Sequence, residues 1–226
     1  MKAFSRISLF TAGLAAALAL STGAMAGSDE AMYEVTFTPM WTAQSHPFEY
    51  PKAGLISVPH FSGVIGASHN GKFEIFKEGM MPTAGLEALS ETGKHSPLDK
   101  EIKAAITAGS AGALFETDGI KDLSKSATAS VRVSKAHPQA SAVAMIAPSP
   151  DWFAGVMGVN LMENGQWVVE KTLDVYAFDS GGDDGMTYTA DDKDNSPKKP
   201  TAMAMSQHFV ANGKPVPVAR ITFKRK

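Results

Sequence analysis

Tyr33-Glu34-Val35-Thr36-Phe37-Thr38 alternates apolar and polar side chains without a break. A period of two puts Tyr33, Val35 and Phe37 on one face and Glu34, Thr36 and Thr38 on the other, the pattern of a half-buried strand. The strand runs toward Trp41. Its counterpart lies at the far end of the chain, where Ala219, Ile221 and Phe223 share one face and Arg220, Thr222 and Lys224 the other. Between them Ser130 to Ser134, Ser141 to Ile146, Phe153 to Leu161, Trp167 to Lys171 and Leu173 to Phe178 are further β-rich stretches. Asn164-Gly165 joins Leu161 to Trp167 through a hairpin turn, because both residues tolerate positive φ.

Helix is confined to the middle of the chain. Ser96-Pro97-Leu98-Asp99 offers an N-cap, a proline at the first helical position and an acid three residues after the cap. Leu98, Ile102, Ala105 and Ile106 follow at helical spacing until Gly109 stops the run. A shorter helix is expected over Gly85 to Glu91, ended by Gly93. Strands at both ends around a short helical insertion predict a mainly β fold, an antiparallel β-sandwich with one or two short helices in the middle.

The first residues have the layout of a secretory signal. Lys2 and Arg6 make a basic start, Ile7 to Leu20 is apolar, and Ala24-Met25-Ala26 offers small residues at a cleavage site. The apolar run is short of the about 20 residues a membrane span requires. The expected organisation is a signal peptide over 1–26 and one domain over 27–226, exported to the periplasm or outside the cell, with no transmembrane segment in the mature chain. The sequence has no cysteine, so no disulfide contributes to its stability. Without Lys2 and Arg6, 19 of the 21 basic residues remain against 23 acids, a mildly acidic balance. No basic stripe is present to neutralise phosphates, which excludes nucleic acid as a partner.

The acids are gathered late in the chain. Asp179-Ser180-Gly181-Gly182-Asp183-Asp184-Gly185 is followed closely by Asp191, Asp192 and Asp194. Neighbouring carboxylates repel unless a cation offsets them, and calcium accepts six to eight oxygen ligands in flexible geometry. The spacing is not that of an EF-hand, since Gly181 stands at the second ligand position and no Glu at the twelfth. Composition alone slightly favours a solvated turn, because Asp and Gly are common turn residues. Asp151 adds a further acid, placed in the turn Ala147-Pro148-Ser149-Pro150-Asp151-Trp152-Phe153, whose prolines restrict the backbone. If the end loops of a sandwich converge, Asp151 meets Asp179 and Asp183.

These motifs resemble the spondin domain, the family of F-spondin and mindin. The resemblance covers most of the chain after residue 26. It rests on Tyr33 to Phe37 leading to Trp41, His60-Phe61-Ser62 with Ile65-Gly66-Ala67-Ser68-His69-Asn70, Gly85-Leu86 with Glu91-Thr92-Gly93, and Pro148 to Phe153 with Gly155-Val156. It continues through Asn164-Gly165-Gln166-Trp167, Leu173-Asp174-Val175-Tyr176 and the loop Asp179 to Gly185 with Thr187-Tyr188. The resemblance implies a sandwich like the calcium-dependent lipid-binding domains, with Ca2+ at one end held by Asp151, Asp179 and Asp183. Ser180 and Gly182 depart from the usual alanine and threonine, and Asp184 from a common serine. It also implies a non-catalytic binding or adhesion module, whose ligand would be an envelope or extracellular protein, glycan or lipid.

Other readings of the same residues are weaker. Met203, Met205 and His208 are soft-metal donors that would suit Cu(I), though period-two methionines are also simple strand neighbours. His69 is expected to orient loop backbone. A carboxylate-dependent hydrolase acting on envelope glycans or peptides is the alternative to a binding module, but an acid/base pair needs a deep substrate cleft, for which a small sandwich with clustered end loops offers little room. Trp152 and Phe153 are expected to plug the core.

Overall fold

The computed structural model describes residues 28–52, 58–191 and 193–226. The expected signal peptide, Gly27 and Asp192 lie outside the described residues. Strands β1 (Glu30–Pro39), β2 (His60–Phe61) and β3 (Ile65–His69) precede helices α1 (Ala84–Thr92) and α2 (Leu98–Thr107). Strands β4 (Ala111–Glu116), β5 (Ala127–Ser134), β6 (Gln139–Ala147) and β7 (Trp152–Asn160) follow, then the hairpin β8 (Met162–Glu163) and β9 (Gln166–Trp167) and the long β10 (Glu170–Asp179). The chain closes with β11 (Ala202–Met203), the hairpin β12 (Val210–Ala211) and β13 (Lys214–Pro215), and β14 (Ala219–Arg225).

The two alternating end segments are neighbours. β1 pairs antiparallel with β14, matching Val35 to Phe223 and Phe37 to Ile221, so two inward faces coincide and all six apolar residues are buried. A one-residue slip would turn both sets outward, which fixes the register. The main sheet runs β4-β3-β6-β7-β10-β14-β1-β5, with β2 added to β6 and β11 to β10. It curls until its two ends, β4 and β5, lie against each other. The result is an antiparallel sandwich that is nearly closed, and few strand edges are left open.

Two cores explain which strands alternate and which do not. The interior of the curled sheet holds Tyr33, Phe37, Trp41, Phe61, Ala144, Ile146, Trp152, Ile221 and their neighbours. A second core lies between the outer face of the sheet and the helices, and joins Ile65, Val143 and Phe153 to Leu86, Leu89, Leu98 and Ile102. Strand β6 is therefore covered on both faces, which is why Ala140 to Ala147 are all buried. Trp152 and Phe153 face opposite cores, as the expected plugs.

The hairpin turn forms as expected, with φ of 51° at Asn164 and 74° at Gly165. Helix α1 is capped by the Thr83 hydroxyl accepting from Leu86 N–H, and Gly93 ends it at φ 69°. Three expectations are corrected. The cap of α2 is Pro97 rather than Ser96, without a side-chain cap bond, and the helix starts at Leu98. Trp167 to Lys171 is not one strand: Trp167 belongs to the hairpin, while β10 is continuous from Glu170 because it pairs along its length with β14 and then β7. His69 is not a loop residue. It ends β3, buried, its Nε2 2.7 Å from Ser141 Oγ and its Nδ1 2.8 Å from the Asn70 carbonyl.

Candidate metal centre

Antiparallel pairing of β7 with β10 sets Trp152 opposite Asp179. Asp151 precedes Trp152 in the chain, so two acids distant in sequence meet at the same end of the sheet. The β6–β7 turn that carries Asp151 is held by Ser149, whose hydroxyl donates to the Ile146 carbonyl at 2.6 Å and accepts from Trp152 N–H at 3.1 Å. Trp152 anchors the turn from below, packed edge-on against Tyr188 and Phe209 with centroids 5.2 and 5.0 Å away.

The loop after β10 wraps around Asp151. Its Oδ2 accepts from Ser180 Oγ at 2.9 Å, Gly181 N–H at 3.0 Å and Asp183 N–H at 3.1 Å. Gly181 also donates to Asp179 Oδ1 at 2.9 Å. This donation needs φ of 87°, and a side chain there would run into the Lys199 carbonyl oxygen, so glycine is required twice over. Asp183 turns its own carboxylate to Gly185 N–H, at 2.6 Å, and to Lys193 N–H. The segment after residue 190 straps the loop down: Asn195 N–H donates to the Gly182 carbonyl at 2.7 Å and Lys199 N–H to the Gly181 carbonyl at 2.9 Å.

The electrostatics are unusual for three acids. Asp151 is 0 % exposed and Asp183 3 %. Burial, followed by the Asp179 charge, pushes the Asp151 carboxyl up to about 6, against the pull of its donors. Burial also raises Asp179, with Gly181 N–H and the Lys199 ammonium opposing it. Asp151 Oδ1 is buried and accepts no hydrogen bond. An ionised oxygen buried without a donor is costly, and a hard cation is the partner that suits it.

Asp151, Asp179 and Asp183 are thus brought to one loop cluster, each held by loop backbone. Among the described residues, the three acids that each place one carboxylate oxygen within 4.8 Å of the others' are instead Glu87, Glu91 and Asp194. Asp194 belongs to the acid cluster noted in the sequence, but Glu87 and Glu91 were not read as ligands, although they stand one helical turn apart on α1 and so share a face. Gly182 packs against both glutamates, and the Lys198 ammonium pairs with Glu87. Asp184 makes a surface pair with Lys193 at 2.6 Å, and Asp191 is exposed. Ser180 was also missed as a contributor, because a serine within a glycine-rich loop gives no sign of pointing inward.

His208 does not join Met203 and Met205 as a metal donor. It is buried beneath Trp152, with Ser206 Oγ 3.1 Å from Nδ1 and Glu49 Oε2 3.1 Å from Nε2.

The fold is that of an antiparallel β-sandwich module with Asp151, Asp179 and Asp183 gathered in the loops at one end. A family model described as Spondin_N matches residues 31–214, and the chain belongs to that family. It is similar to Spondin-2 of Homo sapiens, 30 % identical over 206 residues covering 86 % of this chain and 61 % of the relative. Spondin-2 of Rattus norvegicus is 30 % identical over 206 residues, with 86 % and 62 % covered. Spondin-1 of Xenopus laevis is 27 % identical over 206 residues, with 86 % and 25 % covered. The chain therefore spans about three-fifths of these Spondin-2 relatives and a quarter of that Spondin-1. No helix among the described residues is long and apolar enough to cross a membrane.

Proposed function

We propose that this chain is an exported, calcium-binding spondin module that acts by binding a partner and not by catalysis. Asp151, Asp179 and Asp183 would hold the ion. The observation that carries this reading is the Asp151 Oδ1 atom, buried among like charges with no donor to satisfy it. When bound, calcium supplies the positive charge that lets adjacent buried carboxylates remain ionised together.

The residues of the chain do the rest. Ser180, Gly181 and Asp183 orient Asp151 through its other oxygen, leaving Oδ1 for the cation. Trp152 and the prolines of the preceding turn fix the height of the loop against the core. A partner would meet the loop surface that these contacts rigidify. An envelope or extracellular protein, glycan or lipid is the class of ligand that export would make available.

Burial also speaks against the hydrolase alternative. A general acid must reach the leaving group, and Asp151, the carboxyl with the most suitable titration, is enclosed by protein. The test is the melting temperature of the purified protein with calcium and with chelator. Calcium should raise it for the wild type and leave Asp179→Asn unmoved, since an ion that binds the folded chain stabilises it by mass action. A wild-type curve indifferent to calcium would refute the proposal.

A further inference from the structure

Methionine dominates the exposed apolar surface. Among the described residues, five of the eight large apolar side chains that stand exposed are Met32, Met80, Met81, Met186 and Met205. Four of these five lie on segments that converge on β11. The Met80 carbonyl accepts from Thr201 N–H at 2.7 Å, and Met205 follows two residues after Met203, which ends β11. Ala204 between them is buried, with its N–H on the Ala177 carbonyl at 3.0 Å, while Met205 is exposed and Met203 half-buried on either side of it. Met186, 70 % exposed, comes from the loop beyond Gly185 and completes a groove of about 420 Å³ with them. Trp152, Asp179 and Lys199 also line it.

A groove that served only to shed water or pack a partner would be expected to use leucine, valine or phenylalanine as well. Here each large aliphatic side chain lining it is a thioether. Thioethers are soft, uncharged donors, and the ions they prefer are soft and monovalent. The chain has no cysteine, so methionine is its sole soft donor, and it is one that cannot be lost to disulfide formation in an oxidising compartment. The Asp179 carboxylate, at the same groove, offsets the Lys199 charge that would otherwise oppose a cation.

We propose that Met186, Met203 and Met205 form a thioether site for a soft monovalent ion, Cu(I) or its redox-inert analogue Ag(I). Its three thioether donors are none of the carboxylates assigned to calcium, but Asp179 lines this groove as well, so the two sites are neighbours that share one wall.

The experiment is a titration of protein carrying 13C-methyl methionine with Ag(I), followed by NMR, alongside Cu(I) competition against a chromophoric chelator in ascorbate. Three methyl signals, identified by single leucine substitutions as Met186, Met203 and Met205, should shift together and saturate at one equivalent. The combined M186L, M203L and M205L variant should bind Cu(I) at least about tenfold more weakly. These volume-conserving replacements, at the exposed Met186 and Met205 and the half-buried Met203, should leave the calcium-dependent melting shift as it is in the wild type. Methyl signals that stay still, or that move elsewhere in the chain, would overturn the proposal, as would a triple variant that binds as tightly as the wild type.

Discussion

Ser180 Oγ lies 2.9 Å from Asp151 Oδ2, a buried hydrogen bond between residues 29 positions apart. It joins the β6–β7 turn to the loop after β10 and lets a buried carboxylate be aimed rather than merely enclosed. The same hydroxyl accepts from Gly182 N–H at 3.2 Å, so it passes the orientation of one loop to the backbone of the other.

Ser180→Ala should therefore loosen both loops. Loss of a buried bond to a charged group costs about 1–3 kcal/mol, read as a lower urea midpoint in chelator. With calcium present the deficit should shrink, because the ion would then hold Asp151 by its other oxygen.

Gly181→Ala should be more damaging. The residue sits at φ 87° and its added methyl meets the Lys199 carbonyl oxygen, so backbone strain and a clash coincide at a loss of about 2–4 kcal/mol. Thermal melting should show this, together with loss of the calcium-dependent rise. An unchanged melting curve would mean that the loop adopts another conformation.

Trp152→Ala removes a ring packed against Tyr188, His208 and Phe209. Truncating such a side chain costs about 3–5 kcal/mol. Since Asp151 precedes it directly, calcium affinity measured by calorimetry should fall as well, whereas a purely structural loss would lower stability and leave affinity intact.

The calcium-free protein should carry a pH signature. Asp151 titrates at about 6 when folded and at about 3.9 when unfolded. The folded chain takes up the proton first, so this group adds stability as pH falls through 6, with the gain complete below about 4 and roughly 3 kcal/mol at most. His46 and His69 work in the opposite sense, because burial lowers both and the unfolded chain binds their protons more readily. The contribution of Asp151 is isolated by subtracting the pH profile of Asp151→Asn from that of the wild type in chelator. The difference should tilt toward the wild type as pH drops from 7 to 5, and a flat difference would remove Asp151 from the account.

Elements with one covered face were legible from the sequence. β1 and β14 alternate because one side of each meets the interior, and Asn164-Gly165 declares its turn through positive φ. β3 and β4 left no comparable mark. Gly66 in β3 is small because a side chain there would strike Phe115 and the Ser141 carbonyl, a demand from strands far away in sequence. Pairing of β7 with β10 brings the turn of Asp151 beside the loop that carries Asp179 and Asp183, a proximity that no pattern within either strand encodes. The glutamates of α1 were missed because their approach to Gly182 depends on how the helices lie across the sheet, a relation no local pattern encodes. The cap of α2 was misplaced by one residue, since the serine and proline there satisfy either assignment by sequence.

If one hard cation satisfies Asp151 Oδ1, a crystal structure grown with saturating calcium will show it. Coordination predicts an anomalous peak at the calcium–oxygen distance of about 2.3–2.6 Å from that atom, with Asp179 and Asp183 oxygens in the same sphere. A well-ordered loop with no such peak, and Oδ1 still without a partner, would contradict it.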